Sequence, residues 1–281
     1  MNFLNKLITM ILVPLFMSPL MPFLPIAKIV YKEKEVISLS ENGIGSAEDP
    51  VYLTAHRGIT AVAPENTIPA YEKAVELGFY TAECDILQTA DGYWVLNHNS
   101  DTDNMFCQYA EISETTLEEL RTFSYKKGCN FWAYEDLKIA TLDEYLDVFV
   151  GTSTRPQIEI KADGYDQLYT IVDAVYEKGL EDSAIIISFD YKQLQTIREY
   201  DADIELWYLV DTITEEIIAE AKALGGEVWL SPNFEANTPD TIQLAIDAGI
   251  PASYWTVNDL NDAKMLYDMG IRYIETDIFC N

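Results

Sequence analysis

From Val51 onward one pattern repeats, and it restricts the fold more than any other feature. A helical stretch ends at a glycine, and a short apolar, β-rich run follows. Gly78, Gly179, the pair Gly225–Gly226, Gly249 and Gly270 each stand just ahead of such a run. Glycine suits a helix C′ position because it takes the left-handed backbone without a Cβ penalty. Helix starts are marked as well: Thr238 is placed to cap with Pro239 at N1, and Asp259 is placed to cap the next helix. Strands alternating with helices in this way predict βαβ units and a parallel sheet. Eight strands are expected, centred on residues 53–55, 81–86, 157–161, 184–188, 205–210, 228–230, 252–257 and 273–276. Eight strands close a barrel, so the predicted fold class is α/β, a (β/α)8 TIM barrel. An open doubly wound sheet would usually carry a glycine-rich phosphate loop, and neither GxGxxG nor GxxxxGK[ST] occurs.

Two segments depart from the rhythm. Residues 93–98, after the Asp91–Gly92 turn, read as an extra strand forming a hairpin arm with the second strand. Residues 99–134 read as a polar, irregular insertion over the barrel mouth, with a short helix near residues 116–122. The chain stops soon after the eighth strand, so the last barrel helix is expected to be missing.

Residues 1–35 form a separate N-terminal hydrophobic segment, and residues 36–281 form the barrel domain. Residues 8–27 carry no charge, long enough to span a bilayer as a helix, although Pro14, Pro19, Pro22 and Pro25 weaken it. No good small-x-small cleavage site follows, which favours an anchor over a cleaved signal peptide. The expectation is a membrane-anchored or secreted protein with an extracellular domain. Cys107 and Cys129 flank a polar segment and could pair there, with free thiols about equally expected. The formal charge is −29, from 47 acidic against 18 basic residues. Such a surface repels nucleic acid, so a nucleic-acid partner is not expected and an anionic substrate needs a local cluster of cations.

Barrel enzymes act at the C-terminal ends of their strands. Glu83 and Asp85 are two residues apart in a strand and therefore face the same side. Two buried carboxylates side by side repel unless a cation lies between them. Glu159 and Lys161 repeat that spacing, and three converging carboxylates with only oxygen ligands suit Mg²⁺ or Ca²⁺. The plainer reading of either pair is an exposed edge or a salt bridge. The chain has two histidines, His56 and His98, and both fall at predicted strand ends on one face. Histidine is the usual proton-transfer group near neutral pH. Arg57 and Lys161 supply positive charge where a phosphate would sit.

Together these residues resemble the glycerophosphodiester phosphodiesterase family. The pieces are His56–Arg57–Gly58, Pro64–Glu65–Asn66–Thr67, Glu83-x-Asp85, Asp91–Gly92, His98, Thr141–Leu142–Asp143–Glu144, Glu159–Ile160–Lys161, Ser188–Phe189, Trp255–Thr256–Val257–Asn258 and Thr276–Asp277. Each is weak alone; the ordered set is specific. The resemblance implies hydrolysis of glycerophosphodiesters, such as glycerophosphocholine or glycerophosphoethanolamine, to sn-glycerol 3-phosphate and an alcohol. It implies one divalent metal on Glu83, Asp85 and Glu159, with His56 and His98 as the acid/base pair. Arg57 and Lys161 would hold the phosphate, and Phe189 and Trp255 would line the glycerol side. Glu65 and Asn66 match a signature near the metal, while a helix-capping role for Asn66 is equally open. One position departs: the family commonly has His-Asp where this chain has His98–Asn99. The His98 tautomer must then be fixed by another group, for which Asp101 and Asp103 are candidates. Two other readings compete: a phospholipase D-like lipid phosphodiesterase on the same barrel, and a binding protein that has lost catalysis.

Overall fold

The computed structural model describes residues 36–134 and 136–281, and the hydrophobic segment at residues 1–35 lies outside them. Among the described residues no helix is long and apolar enough to cross a membrane. Eight strands run parallel: β1 (Tyr52–Ala55), β2 (Thr81–Gln88), β3 (Arg155–Ile160), β4 (Ile185–Ser188), β5 (Glu205–Val210), β6 (Val228–Pro232), β7 (Ser253–Tyr254) and β8 (Tyr273–Thr276). Neighbours in sequence pair from β1 to β6, β8 returns to β1, and β7 pairs with β8. Single bridges Leu230↔Ala252 and Asn233↔Trp255 bring β7 back to β6, which nearly closes the barrel. The seventh strand is shorter than the predicted 252–257. At Trp255 the ladder gives way to single bridges, and the indole donates to the Ser231 carbonyl at 2.8 Å.

Among the described residues seven helices cover the outside of the barrel: α1 (Ile68–Glu76), α2 (Leu142–Asp147), α3 (Tyr169–Glu177), α4 (Tyr191–Tyr200), α5 (Glu215–Ala223), α6 (Pro239–Ala248) and α7 (Leu260–Asp268). Their starts follow capping chemistry, in which a side-chain oxygen satisfies an amide that the helix leaves unpaired. Thr238 accepts from Thr241, Asp259 from Asn261, and Thr141 and Glu144 form a reciprocal capping box. After β8, the strand Phe279–Cys280 pairs in parallel with Ile37–Ser38.

The insertion differs from the polar, irregular segment expected. Trp94–Leu96 does run antiparallel to β2, with Leu96 opposite Ile86. Beyond it, Met105, Phe106, Ile112, Leu120, Phe123 and Tyr125 bury themselves with Leu87, Val95 and Ile139 in a second small core. The predicted helix is one turn, Leu117–Leu120, capped by Thr116. The insertion lies against the loop after β1 so closely that a Cβ on Gly128 would stand 2.5 Å from Pro64 Cβ. Gly128 also has φ +111°, so a side chain is excluded there on both counts. No disulfide joins Cys107 and Cys129: Cys107 is exposed, and Cys129 is buried with its thiol donating to the Ala61 carbonyl.

Alternation along the strands divides the barrel interior into two halves. Ile185, Ile187, Trp207 and Leu209 pack together with Trp229 and Trp255. On β8, β1, β2 and β3 the buried polar positions include Glu275, Thr54, Thr81, Glu83, Asp85, Gln157 and Glu159. One wall of the barrel is thus mostly apolar and the other is acidic. That contrast is what puts carboxylates in a medium that resists their charge.

Candidate active site

Register brings the carboxylates together. Asp85 on β2 lies directly opposite Glu159 on β3, and Glu83 is two residues back on the same face. Glu83, Asp85 and Glu159 can each offer an oxygen within 4.8 Å of the others. All three are buried, at 1%, 1% and 7% exposure. Burial and the neighbouring Asp85 push Glu83 well above the ordinary glutamate value, and the same causes take Glu159 up to about 8. Asp85 goes the other way. Burial opposes its charge, but Arg57, Lys161, His98 and the Asn66 amide outweigh it and hold it low.

Arg57 follows β1 in a left-handed conformation, φ 56°, uncommon for a residue with a side chain. The turn aims its backbone amide at Glu83 Oε2, 2.8 Å away. Its guanidinium lies 3.3 Å from Asp85 and 3.4 Å from Glu65. Gly58 completes the turn because a Cβ there would stand 2.6 Å from Ala70 Cβ on α1. Asn66 is not a helix cap. Its amide donates to Asp85 Oδ2 at 2.7 Å, and its carbonyl accepts from the Asp85 backbone and the Tyr71 hydroxyl. All its side-chain bonding is spent on fixing Asp85 and the residue that holds it.

The two imidazoles are held differently. His56 Nδ1 lies 3.0 Å from Asp277 Oδ1, and Asn258 donates to the other Asp277 oxygen at 2.8 Å. Burial works against a charged His56, yet Asp277 and Glu275 outweigh it and raise its pKa. His98 Nδ1 lies 2.9 Å from Asn99 Oδ1. Asn99 itself therefore orients His98, not Asp101 or Asp103. Asp101 caps the Asp103 amide and Asp103 pairs with Lys126. Burial holds His98 below the ordinary histidine value, with Arg57 and Lys161 adding to it against Asp85 and Asn99. His98 reaches this level because the arm returns antiparallel: the Asn97 amide donates to the Asp85 carbonyl at 3.1 Å.

Lys161 lies 2.6 Å from Glu159 and 3.5 Å from Asp85, with its ammonium 5.8 Å from the Phe189 ring centroid. Phe189 is 45% exposed and meets Trp255 edge-on at 5.8 Å. All nine residues expected from the sequence thus border one region at the C-terminal end of the strands. Three further residues join them. Glu275 lies 3.8 Å from His56 Nε2, Asp277 orients His56, and Asn258 holds Asp277. Glu275-x-Asp277 repeats the spacing of Glu83-x-Asp85 in an equally apolar run, so the signal was in the sequence.

The residues fit a divalent cation. Glu83 Oε1 is buried without a hydrogen-bond partner among the described residues. An oxygen-only trio of this charge matches the hard ions Mg²⁺ and Ca²⁺.

A cation-ready acid cluster beside a guanidinium and an ammonium calls for an anionic substrate. Two imidazoles border the cluster, and exchanging a P–O ester bond requires proton removal and proton delivery, for which imidazole is the usual group near neutral pH. On a (β/α)8 barrel this defines a phosphoric diester hydrolase. More narrowly, the chain belongs to the glycerophosphoryl diester phosphodiesterase family, whose model matches residues 56–279. A glycerophosphodiester phosphodiesterase of Caldanaerobacter subterraneus subsp. tengcongensis is 27% identical over 232 residues, covering 80% of this chain and 93% of that one. One from Bacillus subtilis is 24% identical over 269 residues, covering 87% and 88%. Among solved structures, an Oleispira antarctica phosphodiesterase in complex with the product sn-glycerol-3-phosphate superposes with TM-score 0.74 at 23% identity, covering 81% of this chain and 93% of that chain.

Proposed function

We propose that this protein hydrolyses small glycerophosphodiesters to sn-glycerol 3-phosphate and an alcohol, with His56 as general acid, His98 as general base and a divalent cation held by Glu83, Asp85 and Glu159. One observation carries this reading: two imidazoles border the same buried acid cluster, each with Nδ1 held by its own acceptor. The chemistry such an ion supplies when bound is polarisation of a phosphoryl oxygen and offset of the diester charge. Arg57 and Lys161, now paired with Asp85 and Glu159, bind the remaining phosphoryl oxygens in this reading. Phe189 and Trp255 form the apolar edge against which the glycerol carbons pack.

The division of labour follows from the two acceptors. A carboxylate on Nδ1 stabilises imidazolium, so His56 enters the reaction protonated and delivers its Nε2 proton to the leaving alkoxide. An amide oxygen on Nδ1 fixes the tautomer without that charge. His98 is therefore neutral near pH 7 and takes the proton of the attacking oxygen at Nε2.

The full chain with Mg²⁺ or Ca²⁺ should release glycerol 3-phosphate from glycerophosphocholine or glycerophosphoethanolamine, and EDTA should stop it. Choline release from long-chain lipids but not from glycerophosphocholine would replace this reading with that of a phospholipase D-like enzyme.

The Asn99 contact makes a further prediction. Asn99→Asp puts a charge on His98 Nδ1 and should raise its pKa by about one unit. His98 works deprotonated, so the acidic limb of kcat/KM should move to higher pH by the same amount. An acidic limb that stays in place would separate Asn99 from the proton transfer.

A further inference from the structure

Glu275 takes no chemical step in the reading above, although it is 4% exposed and lies 3.8 Å from the nitrogen assigned to proton delivery. We propose that His56, Glu83 and Glu275 form a second cation position, which takes a transition ion such as Zn²⁺ and, when filled, withdraws His56 from proton transfer and inhibits the enzyme. The inhibitory half rests on the proposed role of His56; the site itself does not.

The geometry supports an ion there. Each of the three residues offers a ligand atom within 4.8 Å of the other two. A tetrahedral ion with bonds of about 2.1 Å spaces its ligands by about 3.4 Å, close to the 3.8 Å between His56 Nε2 and Glu275 Oε1. His56 Nδ1 is already bound to Asp277, which leaves Nε2 as the ring atom facing Glu275. A carboxylate behind a metal-binding histidine is the usual support of such a ligand. Asp277 is itself fixed by Asn258 and by the Thr60 hydroxyl at 3.2 Å.

A second observation points to a ligand. Glu275 Oε2 and Glu83 Oε1 are both buried without a hydrogen-bond partner. Buried carboxylate oxygens are costly to leave unmatched, and a dication here would satisfy Glu275 while sharing Glu83 with the first position. The donor set also separates this position from the first. Glu83, Asp85 and Glu159 offer oxygen alone, whereas an imidazole nitrogen with two carboxylates favours Zn²⁺, Co²⁺ or Mn²⁺ over Mg²⁺. Glu83 belongs to both groups, so the two positions adjoin.

The test adds Co²⁺ or Zn²⁺ to the full-length protein in excess Mg²⁺. Because the chain has two histidines, ring NMR signals report on each separately. One equivalent of Co²⁺ should bind with visible absorption of a low-coordinate ion, and Zn²⁺ should shift the His56 ring signals while leaving those of His98. Zn²⁺ should depress turnover over the same range. Glu275→Gln should weaken this binding by at least ~10-fold. It should raise the half-inhibiting Zn²⁺ concentration equally, measured against the variant's own uninhibited rate. Complete displacement of Co²⁺ by Mg²⁺, an unmoved His56 ring, or a Glu275→Gln titration like wild type would each overturn the site. If that variant fails to fold, Co²⁺ stoichiometry and the wild-type His56 signals decide. Inhibition without His56 perturbation would overturn the mechanism proposed for it. Absence of turnover on every glycerophosphodiester would instead count against the proposed reaction, with the binding readouts intact.

Discussion

His56→Ala should lower kcat on glycerophosphocholine by ~10²–10⁴-fold, the range that a positioned acid or base contributes. The loss follows from the leaving group. An alkoxide departs poorly unless it receives a proton as the P–O bond breaks. His56 is the imidazole whose Nδ1 rests on a carboxylate, which favours the protonated ring against burial. The assignment also predicts where the loss should vanish. A diester with a p-nitrophenyl leaving group needs no proton, so on that substrate the deficit should shrink to within about tenfold. His98→Ala should lose a comparable factor on both substrates, because removing a proton from the attacker is needed whatever leaves. Equal deficits for His56→Ala on the two substrates would strip it of the acid role and leave it a binding or positioning residue.

The barrel was legible because its punctuation is local. Thr238–Pro239 and Asp259 start helices by short-range capping, and Gly249 ends one at φ 65°. Strand ends near the acid cluster could be read from i, i+2 parity, which is a property of the backbone. The insertion was not legible, since the residues of its small core, from Leu87 to Ile139, follow neither helical nor strand spacing. They meet by tertiary folding alone. The same limit explains the site. Glu83 and Asp85 declare themselves by spacing, but what holds His56 is Asp277, 221 positions away, and what holds Asp277 is Asn258. Contacts of that kind depend on β8 lying beside β1, and no local pattern states which strands adjoin. His98 shows the converse error. Asp101 and Asp103 carry the charge that Asn99 lacks, but the adjacent amide oxygen of Asn99 has the reach and suffices to set the tautomer.

Glu83→Gln should abolish tight cation binding and reduce turnover at least ~100-fold, yet leave the metal-free protein as stable as wild type or more so at neutral pH. The two directions have one cause. Without an ion, Glu83, Asp85 and Glu159 crowd their charges in a medium that resists them, and the first and last respond by taking up protons. Glu159 goes from an ordinary 4.5 up to about 8, so between those values the folded state holds more protons than the unfolded chain. Stability of the metal-free protein must therefore fall as pH rises through that window, and level off above it. Cation binding should reverse the trend and release protons, detectable by calorimetry in buffers of different ionisation enthalpy. An amide at position 83 is neutral without taking up a proton and keeps an oxygen for the Arg57 backbone amide, which now donates to Glu83 Oε2. At a cation concentration of ~100 Kd, wild type should gain about 2.7 kcal/mol, roughly 5–10 °C in Tm. Glu83→Gln should gain under ~2 °C at the same concentration. A variant that keeps the full cation-induced rise would move the ion away from Glu83. One markedly less stable than the metal-free wild type at pH 7 would show that the carboxylate serves the fold before it serves a ligand.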